Sequence, residues 1–179
     1  MRKIIFLFFC CCLQIHLQAQ TTCRDTLISG KHGMADASGK IFIPAMYDEI
    51  TPYAYSAFDF STGNLLSSGE TVFVVRSDKK YGIFDAQGKN LATCIYSEVI
   101  VDYCNGGTYR IMAVKKKGKY AFLNPQGVFI TAFDFVGVDT GDFADAPEVI
   151  AYVRKKGRKK WEMLDKSGKI SVDAANDSN

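Results

Sequence analysis

The sequence is poor in histidine, holding only His16 and His32 in 179 residues. A Ser-His-Asp or Cys-His arrangement would have to be built around one of these two, and no nucleophile-elbow phrase accompanies them. No cluster of Cys and His has the spacing of zinc ligands. No Gly-Lys-Ser phrase opens onto a helix to cradle a phosphate, and Asn105-Gly106-Gly107 reads instead as a hairpin turn between strands. A strong charge imbalance is also missing, with 22 basic against 19 acidic residues. The pI of about 8.5 is therefore weak support for a polyanionic partner, and any charge argument must rest on local clustering. Paired carboxylates remain the one catalytic device open, because spacing in sequence does not reveal separation in space. The expectation is a protein that is not an enzyme and carries no cofactor.

Long apolar runs are confined to the N-terminus. Met1, Arg2 and Lys3 make a basic start, Ile4 to Leu13 is continuously apolar, and Leu17 and Ala19 occupy the minus-three and minus-one places of a cut after Ala19. Residues 1–19 are read as a signal peptide, too short for a membrane span, which needs roughly 20 apolar residues. Lipidation would use Cys10 or Cys23, but Phe8 and Phe9 are bulky where a lipobox wants small residues, and Cys23 lacks the expected upstream Leu. Loss of the segment removes Arg2 and Lys3 and brings the chain close to neutrality. The expected location is exported: periplasmic, outer-membrane-associated or secreted, with no transmembrane span. Cys23, Cys94 and Cys104 then remain, free to form one disulfide with a thiol left over or to stay as three thiols.

What the sequence does have is aromatics, at 13%, and 15 glycines, a composition that favours strands and tight turns. It also has an internal repeat. The phrase Asp-x-x-Gly, with small variations, runs Asp36 to Gly39, Asp85 to Gly88, Asn124 to Gly127 and Asp165 to Gly168. Seven residues before each Gly stands a ring: His32, Tyr81, Tyr120 and Trp161. Eight residues after it comes another in three copies, Tyr47, Tyr96 and Phe135. The β-branched runs Val72 to Val75, Ile111 to Val114 and Val149 to Val153 precede the later copies and read as strands.

Each unit thus reads as strand, basic turn, ring-Gly strand, Asp-x-x-Gly turn, strand, and then an Ile-Pro and Tyr-Asp-Glu phrase. That order resembles the WG-repeat (Trp-Gly β-repeat) family over residues 24 to 172. The fullest matches are Lys80-Tyr81-Gly82-Ile83-Phe84-Asp85-Ala86-Gln87-Gly88-Lys89 and Ile43-Pro44-Ala45-Met46-Tyr47-Asp48-Glu49-Ile50. The eponymous pair is nowhere intact: it reads His32-Gly33, Tyr81-Gly82, Tyr120-Ala121 and Trp161-Glu162. The expected fold is all-β, four degenerate repeats of three-stranded antiparallel meanders stacked as a solenoid-like or partly closed propeller-like array. Residues 20–172 form its single domain, and residues 173–179 a polar tail. One meander cannot bury both faces; stacking successive units does.

Two surfaces are candidates for ligand binding. The first is the set of basic turns, Lys79-Lys80, then Lys115, Lys116, Lys117 and Lys119, then Arg154, Lys155, Lys156, Arg158, Lys159 and Lys160, which stacking would align on one edge. Charges at fixed spacing add their fields and suit phosphate, lipid headgroups or an anionic polysaccharide; equally, lysines at hairpin turns keep strand edges soluble. The second is the insertion from Thr51 to Glu70, where Tyr53, Tyr55, Phe58 and Phe60 either pack as added structure or present rings to sugar or peptide. Asp139, Asp142, Asp145 and Glu148 could surround calcium but lack the EF-hand spacing, and an ordinary polar turn is the plainer reading. His32, at the repeated ring position, reads as structural. The functional expectation is a non-catalytic binding or interaction module of the cell envelope, its partner a protein or an anionic envelope polysaccharide and not nucleic acid. A structural component of an envelope assembly is the alternative, followed by a hydrolase using acids between Asp139 and Glu148.

Overall fold

The computed structural model describes residues 23–54, 56–59, 64–67, 71–104, 109–141 and 148–172. Residues 1–19, expected to be a signal peptide, the tail 173–179, Tyr55, Phe60, Asn105-Gly106-Gly107, Asp142 and Asp145 lie outside the described residues. Within them the protein is all β, with sixteen strands and no helix. The first unit contains β1 (Arg24–Ile28), β2 (Lys31–Ala35) and β3 (Ile41–Tyr47) in one three-stranded sheet. The second combines β4 (Glu49–Tyr53) with β7 (Val72–Ser77), β8 (Lys80–Asp85) and β9 (Asn90–Tyr96). The insertion between β4 and β7 forms a separate two-stranded hairpin, β5 (Ser56–Asp59) and β6 (Asn64–Ser67). The last two units share a seven-stranded sheet. They comprise β10 (Glu98–Cys104), β11 (Tyr109–Lys116) and β12 (Lys119–Leu123), then β13 (Phe135–Asp139), β14 (Val149–Lys155), β15 (Glu162–Asp165) and β16 (Ile170–Val172). Every pairing is antiparallel, and the sheets follow one another without any closing on itself.

The units from the second onward have an opening strand, β4, β10 or β13, that the three-stranded expectation does not include. It comes from the Tyr-Asp-Glu phrase. Tyr47 ends β3, paired with His32, and Glu49 begins β4, paired with Arg76 across the next sheet. Tyr96 and Glu98 repeat this, pairing with Tyr81 and Lys115. Phe135 pairs with Tyr120 on one side and Lys155 on the other, which is how the third and fourth units come to share a sheet. The ring is buried in all three, at 7%, 6% and 1% exposure; at Tyr47 and Tyr96 it anchors the corner where the chain leaves one sheet for the next, and at Phe135 the join within the shared sheet.

Three apolar clusters alternate with the sheets. Met34, Ile43 and Tyr47 of the first unit pack on Phe73, Val75 and Phe84 of the second. Val72, Ile83, Leu91 and Tyr96 of the second pack on Met112, Val114 and Leu123 of the third. Ile111, Ala113 and Phe122 of the third pack on Ile150, Val153 and Leu164. Neighbouring residues of one strand thus serve two interfaces, which explains why Val72-Phe73-Val74-Val75 is apolar without alternation.

The Asp-x-x-Gly turns repeat in detail. In each, Oδ1 of Asp36, Asp85, Asn124 or Asp165 accepts two backbone N–H bonds, from the residues two and four places on, at 2.8–3.1 Å. The closing glycine has φ between 81° and 89° in all four. It also faces the preceding unit: a Cβ on Gly88 would lie 2.3 Å from the Phe42 carbonyl oxygen, on Gly127 2.8 Å from that of Leu91, and on Gly168 2.1 Å from that of Ile130. Each of those carbonyls stands three residues beyond its own unit's turn glycine. The turn is therefore also the stacking contact.

Candidate functional site

The hairpin turns join the first and second strands of the first unit and the second and third strands of the later ones, and three are two-residue turns with both central residues at positive φ: Ser29-Gly30, Asp78-Lys79 and Lys117-Gly118. Such a turn matches the twist of the strands it connects. The fourth, between β14 and β15, is longer, with Gly157 at φ 79° and the Arg158 N–H donating to the Lys155 carbonyl. Topology sets these turns at one end of the strands, whereas the insertion after Tyr53 leaves from the other. The two candidate surfaces are therefore not brought together. Tyr53 is itself exposed, and its carbonyl accepts from the Tyr103 hydroxyl at 3.2 Å.

Many of the named cations are occupied. Lys115 donates to Glu98 at 2.8 Å and to the Tyr120 hydroxyl at 3.2 Å, while Tyr120 donates to Glu98 at 2.6 Å. The Glu98 hydrogen bond holds the Lys115 ammonium above its ordinary range. Burial opposes ionisation of Glu98, but bonds from Lys115 and Tyr120 outweigh it and lower its carboxyl. The second unit has the related pair Arg76–Glu49 at 2.9 Å. In the fourth unit Gly137 replaces the glutamate, and Trp161 packs where a Gly137 Cβ would stand, with the Arg154 guanidinium 5.1 Å from its ring centre.

Carboxylates at the corners bridge neighbouring turns. Asp48 accepts from the Lys31 ammonium at 2.5 Å and from the Asp78 backbone N–H at 2.9 Å, joining the first and second turns. Asp134 lies 3.9 Å from Lys119 and 3.2 Å from Lys155, joining the third and fourth. Lys79, Lys80, Lys116 and Lys117 have no ion pair among the described residues. Lys116, Lys117 and Lys119 line an open groove of about 450 Å³ together with Phe133. Phe133 stacks on Tyr96 with centroids 6.1 Å apart. Lys156, Arg158 and Lys159 are exposed on the longer turn, and Lys160 precedes Trp161 as Lys119 precedes Tyr120.

The first two rows of the sheet pattern, from the Gly after His32 through β3 and β4, are also where a known family is recognisable. The family described as WG containing repeat matches residues 33–65. Over that stretch the chain carries a WG repeat. No curated protein and no solved structure matches it. The Gly of the WG pair has a physical role in this WG-repeat chain: a Cβ on Gly33 would meet Ala45 N and Ile43 O at 2.7 Å, and on Gly82 would meet Ala92 O at 2.7 Å. The closing strand bulges into that space, with register shifts opposite both glycines.

The remaining candidates are dispersed. His32 faces Asp25 at 2.9 Å within its own sheet, a structural pairing. Cys23, Cys94 and Cys104 are thiols with no disulfide among the described residues. Asp139 ends β13, and Glu148 lies 3.9 Å from Lys166. The described residues contain no group of three or more His, Cys, Asp or Glu arranged to hold a metal. Among them no helix is long and apolar enough to cross a membrane. Asp48, Asp134 and Phe133, which organise the basic edge, were not singled out from sequence. The signal that could have found the first is the Tyr-Asp-Glu phrase itself, whose Asp is solvent-facing in a corner between two apolar strands.

Proposed function

We propose that this protein is a non-catalytic binding module of the cell envelope that engages an anionic polysaccharide through its basic turns. The observation that carries the reading is the groove framed by Lys116, Lys117, Lys119 and Phe133. It combines cations, two of them without an ion pair among the described residues, with a partly buried ring that offers an apolar floor. Salt bridges elsewhere on the edge consume charge; here it is left for a partner.

The test is retention on immobilised anionic glycan at low and raised salt. The wild type is expected to bind at low salt, to elute as screening shortens to roughly 8 Å near physiological ionic strength, and to ignore the neutral glycan. Replacing Lys116, Lys117 and Lys119 by Gln removes most of the retention, whereas replacing Arg154 and Lys155, already engaged with Trp161 and Asp134, removes less. Equal retention by the two variants counts against the groove.

A structural role in an envelope assembly is the second reading. It draws on β1, an edge strand whose Leu27 and Ile28 are 65% and 51% exposed. Such an edge is suited to pairing with a strand from another chain. Crosslinking that traps a stable partner through Leu27 or Ile28, with no glycan retention, favours it.

A further inference from the structure

The repeat places a carboxylate between neighbouring basic turns at two of its three junctions, and at the middle one it does not. At the first junction the residue after the corner ring is Asp48; its N–H donates to the Arg76 carbonyl at 2.7 Å, which aims its side chain between the turns. At the middle junction the same place is held by Ser97, whose N–H donates to the Lys115 carbonyl at 2.9 Å in the same way. Its hydroxyl also turns back to that carbonyl, at 3.2 Å, and reaches neither turn.

The partners of the missing carboxylate are nonetheless present. Lys31, which salt-bridges Asp48, immediately precedes the ring His32; Lys80 immediately precedes Tyr81. Asp78, whose N–H binds the second oxygen of Asp48, stands at φ 49°; Lys117 is its counterpart three residues before Tyr120, at φ 51°. The middle junction therefore has a lysine and a turn N–H at the chain positions equivalent to those that bind Asp48, with no acceptor for either among the described residues.

We infer that this notch binds a carboxylate from outside, and that its ligand is a hexuronate residue of an acidic polysaccharide. A carboxylate fits because the internal example is one: one oxygen takes an ammonium and the other takes a backbone N–H. The hexuronate follows from Phe133, which stacks on Tyr96 next to Ser97 and shares a groove with Lys117, giving the C–H face of a sugar ring an aromatic surface beside the anion. Lys116 and Lys119 then accompany the neighbouring acidic residues of the polymer. The inference rests on the polysaccharide reading above and narrows it to one residue-sized site.

The experiment is titration of the full chain with trigalacturonate, followed by calorimetry and by the amide resonance of Lys117. One site per chain and a shifted Lys117 N–H are expected. Ser97→Asp supplies the carboxylate internally and weakens binding by about tenfold or more, as loss of a charge-assisted contact does. Ser97→Ala leaves binding intact, and Lys80→Gln weakens it without preventing folding, since Lys80 is exposed at a hairpin. Thermal unfolding confirms that Ser97→Asp is folded. Equal binding by wild type and the Asp variant, with loss only in the Lys116, Lys117 and Lys119 variant, overturns the notch and leaves the broader polysaccharide reading standing. Binding of triglutamate as tight as that of trigalacturonate overturns the sugar assignment, and no binding of either by the wild type overturns the inference outright.

Discussion

Gly30 and Gly88 adopt nearly the same backbone conformation, φ 76° and 81°, yet a Cβ on Gly30 meets nothing within 4 Å while one on Gly88 meets the Phe42 carbonyl. Gly30→Ala thus pays only the left-handed penalty, about 1–2 kcal/mol. Gly88→Ala adds displacement of the unit below and is expected to cost clearly more, as urea unfolding of the two variants would show. Side-chain charge at the turns responds to pH in a defined direction. The carboxyls of Asp36 and Asp165 are lowered chiefly by Ser38 and Ser167 hydroxyls, and that of Asp48 chiefly by Lys31. Groups with depressed folded values stabilise the fold above the ordinary carboxylate range near 3.9, and that contribution disappears as pH falls through their lower folded values. Stability should therefore decline on the acid side of about pH 4, and Asp48→Asn should flatten part of the decline in melting curves taken from pH 5 downward. At the alkaline end the raised Lys31 and Lys115 act in reverse, their contribution lasting to the ordinary lysine range and fading as pH rises through their folded values.

The third unit shows what happens to an element when the Gly of the WG pair is lost. With Ala121 in that place, residues 128–134 form no strand: the Leu123–Phe129 bridge is isolated, and the Phe122 N–H turns to the Thr131 hydroxyl at 2.9 Å. In the fourth unit Glu162 holds the position, and β16 pairs without any bulge. Both outcomes agree with the bulge needing a residue without Cβ. Gly82→Ala is accordingly expected to loosen β9 against β8, with hydrogen exchange at residues 92–96 rising before the rest of the sheet and a cost on the order of 2 kcal/mol from overpacking. Most of the elements were legible in the sequence because their signals are local: the Asp side chain closing its own turn, the ring seven residues earlier, the β-branched runs. The opening strands were not. Nothing in Tyr-Asp-Glu marks a change of sheet, because the change consists of pairing with Arg76 or Lys115, far along the chain. The basic edge was half legible for the same reason. Its lysines are visible as a run, whereas the acids that neutralise Lys31, Lys115 and Lys155 are Asp48, Glu98 and Asp134, at corners elsewhere along the chain.

At the scale of the molecule, the two ends of the strands have separate characters. One end carries the short basic hairpins, alike in three units; the other carries the Asp-x-x-Gly turns and the connections from opening to second strand, which differ in length and include the insertion. Shortening the insertion to a tight turn between Tyr53 and Val72, which are already paired, is expected to leave the stack folded and the glycan retention unchanged, by circular dichroism and the salt-elution assay. Removing the fourth unit, by contrast, exposes Ile111, Ala113 and Phe122, and cooperative unfolding should weaken throughout the third unit.

The corners at Tyr47 and Tyr96 bear also on how the chain would respond to force. A strand that closes one sheet continues as the edge of the next, so tension that strips β3 from β2 goes on to unzip β4 from β7. The units are hinged as pages sharing a fold rather than as beads on a string, and a stretched molecule should yield in linked steps that travel along the array.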